Sequence, residues 1–373
     1  MDFAKAYRQG NEQRIKKLIH RAQKGEKLGI AFIGGSITQG CQSSAPETCY
    51  AYRVYEYWKN SYPNSEFSYI NAGIGGTTSH FGCGRVAEDV LSHKPDFALV
   101  EFAVNDECTE FYKETFEGLI RRIFYDESEP AVLILYNVFY QNGCTAERVH
   151  SQVARYYDIP AVSLHTLLYS DILSGEIKME ELTLDGLHPN DKGHGILADL
   201  IVSAIEKMKN LVTVDIDIED LNTNSGDKTM EKLPPLTCNK YENATRYQSR
   251  NYEAVSTGFE AMKEIQNGVA DCFKYGWRST DKEASITFEV DGSEIAIQYR
   301  RYHDGSAPVA RVLMDGNDTG IVLDGNFDED WGDKLEITPV MVHGNSGRHT
   351  VTVQISEDKD TAHPFELISV IWA

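Results

Sequence analysis

The chain has 373 residues, 41% hydrophobic and 25% charged, which is enough apolar material for about two domain cores. Its net charge is −21, with 21 Lys and Arg against 28 Asp and Glu in residues 1–210 and 15 against 29 in residues 211–373. Such a surface repels phosphate backbones and anionic lipid, so nucleic-acid and membrane partners are not expected, whereas a neutral ligand is not repelled.

In chain order, the N-terminal stretch carries Lys5, Arg8, Arg14, Lys16, Lys17 and Arg21, which interrupt any apolar signal segment. The longest apolar stretch, Val132 to Tyr140, falls far short of the ~20 residues that span a bilayer. A cytoplasmic protein is expected. Cys41, Cys49, Cys83, Cys108, Cys144, Cys238 and Cys272 form an odd, scattered set without Cys-x-x-Cys spacing, which fits reduced thiols better than disulfides or a zinc site. Cys41 and Cys83 are read as small buried hydrophobes.

From residue 11 to 208, short apolar runs alternate with amphipathic segments, the pattern of a parallel sheet covered by helices on both faces. The expected strands are Gly29–Ile33, Phe67–Asn71, Phe97–Phe102, Val132–Tyr136 and Ala161–Leu164, with a late helix over Gly193–Met208. After Met208 the pattern changes. Leu211–Ile218 alternates with period two, Pro234-Pro235 follows, and short strands are expected at Ala284–Val290, Glu294–Tyr302, Val309–Met314, Gly320–Leu323, Leu335–Met341, His349–Ile355 and Phe365–Trp372. Asp291-Gly292, Asp315-Gly316, Asp324-Gly325 and Gly344-Asn345 supply turns between them, which predicts a β-sandwich of jelly-roll type. The expected domains are 1–209 and 210–373.

Four blocks in the first part carry chemistry: Gly34-Gly35-Ser36-Ile37-Thr38, Asn71 to Thr78, Val104-Asn105-Asp106 and Asp185-Gly186-Leu187-His188-Pro189-Asn190. Three of them follow expected strand ends, where ligands bind in open α/β sheets. A serine attacks a carbonyl only if a base takes its proton, and His188 suits that role because imidazole changes charge near neutral pH. Asp185 can hold His188 in one tautomer. A tetrahedral intermediate needs preorganised donors, and losing one costs ~100- to 1000-fold in rate. Ser36 offers its N–H at a tight strand-to-helix turn, Gly76 an N–H with no side chain in the way, and Asn105 an amide. Asn71, Gly73 and Gly75 are expected to serve the turn itself.

These four blocks, in this order, resemble the SGNH (GDSL-type) hydrolases, named for Ser, Gly, Asn and His, over roughly the first 205 residues. The resemblance implies a three-layer α/β/α domain with Ser36, His188 and Asp185 as catalytic triad, and Ser36, Gly76 and Asn105 as oxyanion hole. Gly35 stands where Asp is usual and Ala103 where Gly is usual, and the Gly-Gly-Ser-Ile-Thr form resembles a carbohydrate-active branch. The order of domains is similar to bacterial esterases of acetylated mannan (carbohydrate esterase family 17), with a second domain like family 35 carbohydrate-binding modules. The implied activity is removal of acetyl groups from acetylated oligosaccharides through an acetyl-enzyme, with no cofactor and no metal.

Other residues keep two readings. His80, four residues past Gly76, is a candidate to bond a sugar hydroxyl or to cap a helix. Trp331, in the polar run Asp324 to Asp333, is a candidate sugar-stacking platform or a loop anchor, while Trp277 and Trp372 are expected in the core. His165 and His194 read as surface or packing histidines. Glu101, Asp106 and Glu107 are not expected to form a glycosidase pair beside the serine machinery. Asp315-x-Asn317-x-Thr319-Gly320 begins like a calcium loop but reads first as a hairpin turn. The rival functions are a lipase or thioesterase for longer acyl chains, disfavoured because no apolar lid segment is evident, and a decayed glycan-binding protein, disfavoured because all five reacting positions are retained.

Overall fold

The structure, a computed structural model, describes residues 1–210, 232–262, 272–357 and 362–373. Leu211–Ile218, expected as a strand, lies outside the described residues. The chain divides into two units, Met1–Asn239 and Lys240–Ala373. Among the described residues no helix is long and apolar enough to cross a membrane.

The first unit is built on strands β1 (Tyr7–Arg8), β2 (Lys27–Gly34), β3 (Glu66–Gly73), β4 (Phe97–Glu101), β5 (Ala131–Tyr136) and β6 (Ala161–Ser163), in sheet order β1-β6-β5-β4-β2-β3. Strands β2 to β6 pair in parallel, and β1 adds an antiparallel edge. Every residue of β4 and β5 is buried, as expected of unbroken apolar strands with both faces covered. The helices are α1 (Gln13–Gln23), α2 (Ser36–Gln39), α3 (Tyr50–Ser61), α4 (Ser79–Asp89), α5 (Glu110–Phe124), α6 (Glu147–Tyr156), α7 (Ser170–Ser174) and α8 (Asp191–Asn210). In α1 the buried residues Ile15, Leu18, Ile19 and Ala22 recur at helical spacing, and they share a core with Trp58 of α3, Leu197 and Ile201 of α8, and Leu28, Ile30 and Phe32 of β2. Helices α4, α5 and α6 pack on one another as the other layer.

Strand order places the site. At the C-terminal edge Gly34 of β2 lies in register with Gly73 of β3 on one side and Glu101 of β4 on the other. The chain steps outward from β2 to β3 and then returns across to β4, so the loops after β2 and β4 diverge and leave a crevice between them.

The first unit ends later than the change of sequence pattern at 209/210. Residues 233–237 fold onto α5, where the Glu117 carboxylate accepts the N–H groups of Leu236 (2.5 Å) and Thr237 (2.7 Å) and Arg121 donates to the Leu233 carbonyl (2.7 Å). Buried charges this well supplied with partners bind the segment to the first unit.

The second unit holds two antiparallel sheets. One, in order β15-β12-β17-β10-β9 with β7 also on β17, contains β7 (Thr245–Tyr247), β9 (Glu260–Ala261), β10 (Trp277–Ser279), β12 (Ile295–Arg301), β15 (Lys334–Met341) and β17 (Phe365–Trp372). The other, β14-β13-β16-β11-β8, contains β8 (Val255–Thr257), β11 (Ser285–Gly292), β13 (Val309–Met314), β14 (Asn317–Asp324) and β16 (Gly347–Glu357). Trp277, Phe288, Ile297, Val353 and Leu367 lie in the core, with Trp372 partly buried against it. Asp315 (φ 51°) and Gly316 (φ 78°) are the two-residue turn of the β13–β14 hairpin, so the calcium-like pattern is a turn between paired strands.

Candidate active site

Strand β2 stops at Gly34, and Gly35 turns the chain so that Ser36 begins α2. The turn needs glycine: a methyl group on Gly35 would lie 2.2 Å from Asn105 Oδ1. Asn105, on the tight turn after β4, therefore lies directly against the peptide that carries the serine.

The second block, Asn71 to Thr78, approaches from β3. Asn71 ties it to the serine turn, its amide donating to the Thr38 carbonyl (2.8 Å) and its oxygen accepting from Gly73 N–H (2.9 Å). Gly75 N–H donates to Gln39 Oε1 (2.7 Å), which brings Gly75 next to Ser36. Gly76 follows with φ +67°, a conformation glycine adopts without a Cβ clash.

The fourth block completes a hydrogen-bonded line. Ser36 Oγ lies 2.8 Å from His188 Nε2, and His188 Nδ1 lies 2.6 Å from Asp185 Oδ2. Asp185 Oδ1 accepts the N–H groups of Leu187 (2.9 Å) and His188 (2.8 Å), an Asx-type turn that fixes the carboxylate to its own loop. Burial raises the carboxyl's pKa, but the bonds from His188 and Leu187 outweigh this and leave it lowered. For His188, burial pulls the pKa down, and the adjacent Cys41 thiol and Asp185 carboxylate override it and push it up to about 9. Cys41 is exposed beside His188, not a small buried hydrophobe, because the end of α2 turns it outward at Gly40 (φ +103°). Cys83 is buried as expected.

A model of the GDSL-like Lipase/Acylhydrolase family matches residues 32–196, which hold all four blocks. The solved structure of a two-domain esterase active on acetylated mannans is 44% identical, covering 100% of this chain and 98% of that one with a TM-score of 0.93. The chain belongs to the GDSL-like lipase/acylhydrolase family. It is accordingly a carboxylic ester hydrolase. An acetylxylan esterase of Geobacillus stearothermophilus is 28% identical over 204 residues, 47% of this chain and 91% of that one. Thioesterase 1/protease 1/lysophospholipase L1 of Escherichia coli strain K12 is 26% identical over 202 residues, 52% of this chain and 89% of that one.

Around this GDSL-like site the structure sorts the remaining candidates. His80 is 3% exposed on α4, edge-on to Phe111 (5.2 Å between ring centres), and burial pushes its pKa down to about 4. The ring of His80 thus packs against Phe111 within the first unit. His194 is buried and structural: Nδ1 accepts Tyr50 N–H (3.3 Å) and Nε2 is 3.2 Å from the Cys41 carbonyl. His165 stacks on Tyr169. Trp331 is 56% exposed in the second unit, its indole N–H donating to Glu329 (2.7 Å) and its ring meeting the edge or face of Phe327 at 5.1 Å and 79°.

Sequence reasoning missed four supporting residues. Asp106 accepts Ser79 N–H at the start of α4 (2.9 Å) and pairs with buried His150 (3.0 Å), tying the helix after Gly76 to the residue after Asn105. Arg85 donates to the carbonyls of Ala72 (2.7 Å) and Gly34 (3.1 Å), strand-end residues that lie within two of the blocks. Glu101 is fully buried beneath the serine turn, accepts from Thr38 (3.2 Å), and is pushed up to about 7 by burial. Gln42 donates to Asp185 Oδ2 (2.8 Å). Only Asp106 had a signal, its adjacency to Asn105; the others act across contacts that no local pattern encodes.

Proposed function

We propose that this esterase is a serine carbohydrate O-acetylesterase acting on acetylated manno-oligosaccharides. The observation that carries the mechanism is the Ser36–His188–Asp185 line, with spacings of 2.8 and 2.6 Å. Similarity along the whole chain to an esterase active on acetylated mannans, also solved after co-crystallisation with mannopentaose, supports the substrate class.

In this reading Ser36 Oγ attacks the acetyl carbonyl carbon while its proton passes to His188 Nε2, and the C=O pair moves to oxygen. The N–H groups of Ser36 and Gly76 and the Asn105 amide hold the oxyanion. Collapse breaks the bond to the sugar oxygen, which takes the proton from His188 and leaves as a hydroxyl. Water then attacks acetyl-Ser36 with His188 as base again, releasing acetate and restoring the serine. Asp185 keeps Nδ1 protonated throughout and offsets the imidazolium charge. Trp331 offers a flat apolar face to a pyranose ring.

The net charge of −21 supports a neutral glycan over nucleic acid or anionic membrane, and the thiols Cys41, Cys49, Cys83, Cys108, Cys144, Cys238 and Cys272, none in a disulfide, support a reducing, cytoplasmic setting. The test is turnover of acetylated manno-oligosaccharide followed by NMR, beside acetyl, butyryl and octanoyl aryl esters. Acetate release from the glycan, preference for acetyl, and loss of activity in Ser36→Ala are expected. A preference for octanoyl would favour a lipase or thioesterase, and Ser36→Ala activity above a tenth of wild type would remove Ser36 from the mechanism.

A further inference from the structure

We infer that Gln42 is a positioning residue for the acid–base pair, its carboxamide clamping the Asp185 loop so that Asp185 Oδ2 stays aligned on His188. This rests on the Ser36–His188–Asp185 reading above.

Both ends of the amide are engaged. Gln42 Nε2 donates to Asp185 Oδ2 at 2.8 Å, the same oxygen that faces His188 Nδ1 at 2.6 Å, and Gln42 Oε1 accepts Leu184 N–H at 3.3 Å. The other donors to the carboxylate, Leu187 N–H, His188 N–H and the Thr183 hydroxyl, all reach Oδ1. Oδ2 has two lone-pair directions, and Gln42 fills the one His188 leaves. With both filled, rotation of the carboxylate costs a hydrogen bond as well as alignment.

The backbone supports the same reading. Gln42 has φ +62°, a left-handed conformation that a long side chain adopts only where its surroundings impose it. Those surroundings are fixed on both sides. Cys41 N–H bonds the Ser36 carbonyl (2.9 Å), and Ser44 N–H and hydroxyl bond Asp191 at the start of α8 (2.8 and 2.5 Å). The segment leaving the nucleophile's own turn is thus locked to the element that follows the His188 loop, and Gln42 reaches across the middle. Its carboxamide is neutral, so it orients the carboxylate without adding charge beside His188. The titratable groups around the pair are Cys41 on the same segment, Asp191 and His194 on α8, and Arg53 on α3, which donates to the Asp191 carbonyl.

The test uses the full chain with 4-nitrophenyl acetate. Gln42→Met keeps the length and removes both hydrogen bonds; it is expected to lower kcat about tenfold, leave KM within twofold, and broaden the downfield proton resonance of His188 Nδ1–H. Gln42→Glu places a second carboxylate near His188 and is expected to move the acid limb of the pH profile upward by about one unit. A Gln42→Met kcat within twofold of wild type with an unchanged resonance overturns the inference, as does a loss confined to KM, which would make Gln42 a substrate contact. Should Gln42→Met melt early, Gln42→Glu decides, and an unmoved acid limb overturns the inference. Ser36→Ala run alongside separates the two readings: if it stays active the triad itself is wrong, and if it is inactive while both Gln42 variants behave as wild type only Gln42 is.

Discussion

At the scale of single residues, the reacting groups are set by neighbours that differ in charge. In the proposed mechanism His188 must be neutral to accept the Ser36 proton, yet against the lowering effect of burial Cys41 and Asp185 push its pKa up to about 9. The fraction of neutral imidazole therefore grows as pH rises through that value, and kcat/KM is expected to climb on an acid limb well above the ordinary histidine value of roughly 6.5. Cys41→Ala removes one of the two raising groups and should lower the limb in a pH–rate profile. A limb unmoved by Cys41→Ala would leave Asp185 as the sole cause. Gly35 gives a steric counterpart. Its substitution by Ala drives a methyl group into Asn105, 2.2 Å from Oδ1. Gly35→Ala and Asn105→Ala are both expected to lower kcat about 100-fold with little change in KM, because an oxyanion donor acts only on charge formed in the transition state. A rise in KM at constant kcat would make Asn105 a substrate-binding residue.

At the scale of elements, the proposed oxyanion donors follow three separate strands and must be held at one height. Asp106 is the tie between them, accepting Ser79 N–H at the head of α4 and meeting His150, which stacks on Phe116 at 3.7 Å. Asp106→Ala strands the Ser79 N–H and the His150 ring in a buried place, each at about 1–3 kcal/mol. A stability loss of roughly 3 kcal/mol in urea denaturation is expected, with kcat falling as the Gly76 turn loosens. Asp106→Asn retains an acceptor for Ser79 and should recover about half of the stability. Wild-type stability and kcat in Asp106→Ala would show that packing of α4 on α5 alone fixes the turn.

At the scale of the whole molecule, an esterase unit is joined to an acidic β-sandwich that carries an exposed tryptophan. The loop of Trp331 is braced where it enters β15, since Asp333 accepts from Arg300 (2.6 Å) and from His303 Nδ1 (2.7 Å), and Phe327 backs the indole. A braced aromatic loses little conformational freedom on meeting a sugar face. Trp331→Ala is expected to lower kcat/KM on acetylated manno-oligosaccharides about fivefold while sparing a small aryl acetate, since one stacked ring is worth on the order of 1 kcal/mol. Equal losses on both substrates would indicate destabilisation, and no loss on either would make Trp331 a plain loop residue.

The parallel sheet and the antiparallel sheets that follow it were legible in the sequence alone, and Ser36, His188 and Asp185, singled out there, lie in one hydrogen-bonded line. Strand runs such as Val132–Tyr136 and turns such as Asp315-Gly316 are local, because backbone conformation and burial periodicity depend on near neighbours. The four reacting blocks are legible because each is short and contiguous. Three things were decided by tertiary structure. Helix α4 turned His80 inward against Phe111, the close of α2 turned Cys41 outward beside His188, and Glu117 of α5 drew residues 236–237 back onto the first unit. The supports Gln42, Arg85, Glu101 and Asp106 likewise depend on partners brought close by folding, at separations from 13 residues for Arg85 and Ala72 to 143 for Gln42 and Asp185. A sequence displays which groups can react; which neighbours orient them is a matter of distance in space, and that exists only once the sheet has set its strand order.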